Sequence, residues 1–160
     1  MSGGYVRKAD PKDAFVLAPK VREIDCLEIE AVGKTNPYNS LMRNFKVPNS
    51  QVYSIVQNDG DILGMFGVGD CAVLKNYGVP WLLSSDDLIP HAKEFLRNCR
   101  PWVKKLEANY ECLFNFIHEN NNIAMRWLQW CGFEVQKDKI YNISNEPFYL
   151  FVRSLSNKKQ

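Results

Sequence analysis

Arg22, Asp25 and Glu28 recur at every third position, and their types could do chemistry together. On a helix this spacing puts all three on one face. Two readings stand for that face: a solvated charged surface, or the polar wall of a substrate groove. Glu28, or Glu30 two residues on, has the chemistry of a general base, able to take a proton through a water if the helix is brought against a sheet. Tyr110, Tyr141 and Tyr149 carry hydroxyls suited to a general acid, and their spacing selects none of them. His91 and His118 lie far apart, without cysteines or acids at ligand spacing, so no metal site is expected. The cysteines, Cys26, Cys71, Cys99, Cys112 and Cys131, are odd in number and contain no C-x-x-C pair. That pattern predicts reduced thiols in a cytoplasm, serving mainly as small buried hydrophobes.

The elements that must position these groups can be read from periodicity and punctuation. Tyr5 to Lys8 predicts a first strand, and Asp10-Pro11-Lys12-Asp13 a capped helix start with proline in its first turn. Pro19 interrupts that helix. Val21, Ile24, Leu27 or Cys26, and Ala31 then mark a second, stopped near Gly33. Asn36-Pro37 opens a short amphipathic piece that closes at Val47-Pro48. Gln51 to Gln57, alternating in character, and Ile62 to Val68 form a hairpin about Asn58-Asp59-Gly60-Asp61.

Val79 to Ser84 is a further strand. Ser85 or Asp86 caps a helix through Leu88, Ala92, Phe95 and Leu96, which Pro101 must kink or split. Cys112 to Ile117 is apolar enough for burial on both faces, and Asn120 to Asn122 cap a helix that Gly132 ends. Phe133 to Tyr141 and Phe148 to Val152 close the chain as a strand pair. Trp81, Trp102, Trp127 and Trp130 fall on apolar faces and are expected in the core. Strands mixed with interposed helices call for an α/β domain with one central mixed sheet and helices on both faces, spanning 1–154, and 155–160 read as a polar tail.

Composition excludes several functions. Net charge is +2 with lysines and arginines dispersed, so no nucleic-acid footprint is expected. No apolar run approaches the roughly eighteen residues of a membrane span. Met1-Ser2-Gly3-Gly4 lacks the charged and apolar parts of a targeting peptide. A soluble cytoplasmic protein is expected.

The strand Leu113 to Ile117 followed by Asn121-x-x-Ala124, Trp127-Leu128 and Gly132-Phe133 resembles the C-terminal half of the GNAT superfamily of acyl-CoA-dependent N-acyltransferases. A wider set is similar to a phage protein family related to the internal virion protein of T-seven-like podoviruses. It comprises Arg22-x-x-Asp25-x-x-Glu28 with Gly33, Met65-Phe66-Gly67-Val68, Val79-Pro80-Trp81-Leu82-Leu83, Phe95-Leu96, and Arg100-Pro101-Trp102-Val103. The resemblance implies a GNAT-like fold, acetyl-CoA as cofactor and an amine on a protein or small molecule as acceptor. Glu28 would serve as base and Tyr141 as acid. Cofactor contacts would come from Leu83, Ser84, Ser85 and His91, and from Asn121, Ala124 and Arg126.

Two departures accompany it. The stretch Ser84 to Ala92, where GNAT enzymes carry a glycine-bearing diphosphate loop, has no glycine and contains Asp86 and Asp87. Leu128 stands where many members carry a tyrosine. A phage protein that keeps the fold without the chemistry, packaged in the virion, acting in assembly with phage structural proteins or binding a host protein, is therefore the alternative expectation.

Overall fold

A computed structural model describes residues 4–154, so the expected tail lies outside the described residues. The order is β1 (Gly4–Lys8), α1 (Pro11–Leu17), a 3-10 turn (Ala18–Lys20), α2 (Glu23–Gly33), α3 (Pro37–Lys46), β2 (Gln51–Gln57), β3 (Ile62–Asp70) and β4 (Tyr77–Ser84). A 3-10 turn (Asp86–His91), α4 (Ala92–Arg97), α5 (Arg100–Glu107), β5 (Cys112–His118), α6 (Asn122–Trp130), β6 (Glu134–Ile143) and β7 (Glu146–Ser154) complete it. Helix starts follow their caps. Asp10 accepts from Lys12 N–H while Asp13 reaches back to the Asp10 N–H, and Asn36 and Asn121 accept from Asn39 and Ala124. Pro101 does not kink a continuous helix. The break falls before it, at Asn98 and Cys99, and proline takes a first-turn position of α5, where its missing N–H costs nothing.

Seven strands form one sheet in the order β1-β2-β3-β4-β5-β7-β6. All neighbours are antiparallel except β4 and β5, which run parallel. Helices cover both faces. Ala14, Leu17, Ile29 and Leu41 of α1 to α3 pack with Val52, Met65 and Leu83 on one face. Leu88, Val103, Leu106, Met125 and Trp127 pack with Phe66, Leu113 and Phe151 on the other.

Double coverage explains one difference from the sequence reading. β2 alternates which core each side chain enters, yet Val52 to Val56 are buried without interruption because neither face meets water. Trp130 is a second difference. It is 53% exposed rather than core, with Nε1 donating to Leu96 O at 2.9 Å and the Arg100 guanidinium over its ring. No helix among the described residues is long and apolar enough to cross a membrane.

Candidate functional site

The parallel junction of the sheet is where a site can form. β4 and β5 are paired only at Tyr77 with Cys112 and at Gly78 with Leu113. Gly78 admits this close approach, since a Cβ there would lie 2.8 Å from the Leu113 side chain and from the Tyr110 ring. Beyond that point the strands part, and a cleft of about 360 Å³ passes between them. Glu28, Val32 and Arg43 bound it on the α2 and α3 side, Phe95, Trp102 and Trp127 on the other.

The main-chain groups of β4 alternate between β3 and this gap. Ser85 N–H turns to Leu63 O at 2.9 Å, so Ser84, Leu82 and Pro80 turn the other way. Two of the three are already engaged. Asn115 Nδ2 donates to Pro80 O at 2.8 Å. Ser84 O accepts from Arg22 N–H at 2.8 Å, and Ser84 N–H donates to Asp25 Oδ2 at 3.1 Å. Leu82, between them, directs its N–H and C=O into the open part of the cleft.

The end of the gap is closed by a buried polar network. Arg22 donates from Nη2 to Asp25 Oδ1 at 2.8 Å and from Nε to Oδ2 at 3.3 Å, and from Nη2 to Asn121 Oδ1 at 3.0 Å. Asn121 Nδ2 and the His118 N–H both donate to Glu28 Oε2, at 3.0 and 2.9 Å. Arg22, Asp25 and Asn121 are 6%, 2% and 3% exposed, which overturns the solvated-face reading of the Arg22-Asp25-Glu28 triplet. The face meets the end of β4 and the start of α6 instead of water. Burial pushes the Glu28 carboxyl up to about 7, against the pull of hydrogen bonds from Asn121 and His118. Ser84 Oγ is buried on the cleft wall without a hydrogen-bond partner among the described residues.

His118 adds a fixed tautomer behind this wall. Its Nδ1 accepts from Asn120 N–H at 3.1 Å, so Nε2 carries the proton and donates to Glu146 Oε1 at 2.7 Å.

Directly beyond this network, the turn that follows β4 has several of its donors engaged. Asp87 N–H donates to Ser85 Oγ at 3.2 Å and Leu88 N–H to Ser85 O at 3.2 Å, which, with the Ser84 and Ser85 amides, accounts for four N–H groups. Pro90 has none to give. Asp86 and Asp87 are exposed at the first turn, so negative charge gathers on this loop. The gap beside Leu82 is open to a narrow ligand arm, whereas the two carboxylates on the loop oppose an anionic group there.

The expected site residues divide accordingly. Glu28, Leu83, Ser84, Asn121 and Ala124 line the cleft. Ser85 is consumed as a cap, its Oγ also donating to Leu63 O. His91 faces a separate cavity of about 240 Å³ beside Tyr5, Leu88 and Trp102, its Nε2 3.3 Å from Gln57 Nε2. Arg126 is exposed on α6. Tyr141 lies on β6 edge-on to Phe116, with Lys139 Nζ 4.7 Å from its ring centre, and is not among the cleft-lining residues. Tyr110 is committed to Asp70. The sequence reaches a main-chain N–H of the strand Val79 to Ser84 but does not single out Leu82, because what Leu82 offers the cleft is backbone and carries no side-chain signal.

No family model and no curated protein matches the sequence. Solved structures match it over nearly its whole length. A GCN5-related N-acetyltransferase from Kribbella flavida is 15% identical, with 95% of this chain and 98% of that one covered and a TM-score of 0.67. Spermidine N-acetyltransferase from Vibrio cholerae, solved with CoA and spermine, is 10% identical, with 98% of each chain covered and a TM-score of 0.66. A GNAT-family acetyltransferase from Streptococcus pneumoniae is 14% identical, with 95% and 99% covered and a TM-score of 0.61. The chain has the GNAT acetyltransferase fold.

Proposed function

We propose that the chain is an N-acyltransferase whose cleft receives an acyl-thioester arm along the free edge of β4 and an amine from the α2 and α3 side. The observation that carries this reading is the open gap at Leu82, flanked by Pro80 and Ser84 whose main chain is already engaged. When bound, an acyl thioester such as acetyl-CoA supplies an activated carbonyl carbon. Leu82 N–H stabilises negative charge developing on the carbonyl oxygen, a fixed dipole that needs no reorganisation. Glu28, with its carboxyl near neutrality, takes the proton of the attacking amine, directly or through one water. Arg22 and Asn121 hold Glu28 in place by packing the network against the start of α6. Leu128 offers no proton to the departing sulfur, and Tyr141 is set apart from the cleft. Acid assistance therefore comes from the proton that Glu28 has acquired, or from solvent.

Titration calorimetry with acetyl-CoA and with acetyl-pantetheine tests this. Binding of the pantetheine thioester, with amine-dependent release of thiol, is the expected result; failure of both ligands to bind at millimolar concentration sinks the reading. A second reading is favoured by the loop at Asp86 and Asp87, whose amides are engaged internally. In that reading the same cleft is a binding surface, and the chain is a phage protein associated with the virion, acting in assembly or binding a host protein. A fixed copy number in purified particles supports it; absence there, together with turnover of an acyl thioester, excludes it.

A further inference from the structure

Two of the five thiols, 32 positions apart in the chain, are brought together on the wall of the cleft. Cys99 Sγ and Cys131 Sγ are 3.0 Å apart. Both residues line the cleft, Cys99 buried at the cap of α5 and Cys131 partly exposed at the C-terminal cap of α6. A disulfide needs its sulfurs at about 2.05 Å, so closure asks for a movement of about 1 Å. Each cysteine sits at a helix junction rather than within a helix, where side-chain rotation and a small backbone adjustment are tolerated. The two junctions are already tied by a second contact, the Trp130 Nε1 bond to Leu96 O at 2.9 Å, which holds α4 against the end of α6.

We propose that Cys99 and Cys131 are a redox-active pair that closes to a disulfide across the cleft wall when the protein meets a peroxide. The cleft gives a small oxidant a path to both sulfurs. Arg100 stands near both sulfurs and favours a thiolate there, against the effect of burial. Attack by either sulfur leads to the same disulfide; from Cys99 it runs through a sulfenic acid on that residue. The Cys99 thiolate attacks one peroxide oxygen, the O–O bond breaks, and the leaving hydroxide takes up the proton that Cys99 lost, giving a sulfenic acid and water. Cys131 sulfur then attacks Cys99 sulfur. The S–S bond forms, the S–O bond breaks, and the departing hydroxide takes the Cys131 proton as a second water. Two thiols and one hydrogen peroxide become one disulfide and two waters.

The remaining cysteines offer a built-in contrast. Cys26, Cys71 and Cys112 are also free, and Cys26 and Cys112 make weak hydrogen bonds to the carbonyls of Val21 and Leu113 rather than to another sulfur. The test is to reduce the protein, remove the reductant, add hydrogen peroxide, alkylate remaining thiols and map peptides by mass spectrometry. The expected result is loss of two of the five alkylatable thiols, a peptide joining Cys99 to Cys131, and recovery of all five on treatment with dithiothreitol. The linked peptide is absent from Cys99→Ser and from Cys131→Ser, and the melting temperature of the wild type rises on oxidation and returns on reduction. Persistence of five alkylated cysteines under conditions that oxidise glutathione, a linkage through another cysteine, or separate oxidation of the two sulfurs to sulfinic acids each overturns the proposal. The wild-type measurements decide it even if a serine variant fails to fold.

Discussion

Replacing Asp25 by alanine is expected to destabilise the fold by about 4 kcal/mol, since removing one partner of a buried ion pair leaves the other charge uncompensated at a cost of roughly 3–5 kcal/mol. The structure places the change in the strong class. Asp25 is 2% exposed and takes two hydrogen bonds from Arg22, one from Ser84 N–H and a longer one, 3.4 Å, from Asn121 Nδ2. An exposed pair at the same helical spacing contributes only about 0–1 kcal/mol. For a chain of this size 4 kcal/mol corresponds to a melting point lower by about 8–16 °C.

Urea denaturation followed by tryptophan fluorescence reads the effect, helped by the Arg22 guanidinium standing 5.9 Å from the centre of the Trp127 ring. The Arg22→Met, Asp25→Leu double variant removes both charges. It is expected to lose less stability than Asp25→Ala alone, because no buried charge remains unpaired. A loss below about 1 kcal/mol for Asp25→Ala, or a double variant whose loss is the sum of the single ones, would refute the buried-network reasoning and restore a solvated face.

The raised carboxyl of Glu28 gives a pH signature. Its folded value of about 7 lies above the ordinary 4.5, so it contributes stability that is full below 4.5 and is lost as pH rises to about 7. At about 1.4 kcal/mol per unit that is at most about 3.5 kcal/mol, so Glu28→Gln is expected to match the wild type near pH 4.5 and to exceed it in stability at pH 8, read by urea titration at both values. The same variant abolishes any amine-dependent acyl transfer, whose rate in the wild type rises through pH 7. Replacing Asp86 and Asp87 together by asparagine removes the two adjacent carboxylates of the exposed turn after β4. It is expected to tighten coenzyme A binding up to about tenfold by calorimetry, since each like-charge pair ~6 Å apart in water costs about 0.7 kcal/mol. Gly78→Ala places a methyl against Leu113 and Tyr110 at the only paired stretch of β4 and β5, and is expected to cost about 1–3 kcal/mol in thermal or urea unfolding.

Local signals carried most of the fold. Asp10-Pro11, Asn36-Pro37 and Asn121 announced their helices because capping is decided within three residues of the cap. Gly60, at φ 89°, and Gly132, at φ 92°, marked turns that need positive φ. The apolar run from Cys112 to Ile117 announced a strand, but not one buried on both faces: Leu113 and Ile117 enter one core, while Cys112, Phe114 and Phe116 on the opposite face are only half-buried.

What stayed hidden was decided by distant contacts. The three-residue spacing of Arg22, Asp25 and Glu28 set a common face but not what that face would meet. Asn121, 96 residues beyond Asp25, and Ser84, 59 beyond it, bury it. The pairing of Cys99 with Cys131 has no local trace for the same reason. Trp130 follows the apolar period of α6 yet lies at its exposed end, where one hydrogen bond to Leu96 anchors it. The loop at Asp86 was legible as lacking glycine; that its amides would be consumed by Ser85 and Asp25 was not.

The gap beside Leu82 can be examined directly by following the backbone amides in a nitrogen-15 NMR titration with acetyl-pantetheine. If the thioester arm lies along β4, the Leu82 amide shifts among the most strongly of all signals and exchanges more slowly with solvent, together with neighbours in 79–84 and 115–117. An unchanged Leu82 amide at saturating ligand, or shifts confined to the cavity beside His91, would contradict the placement of the arm in this cleft.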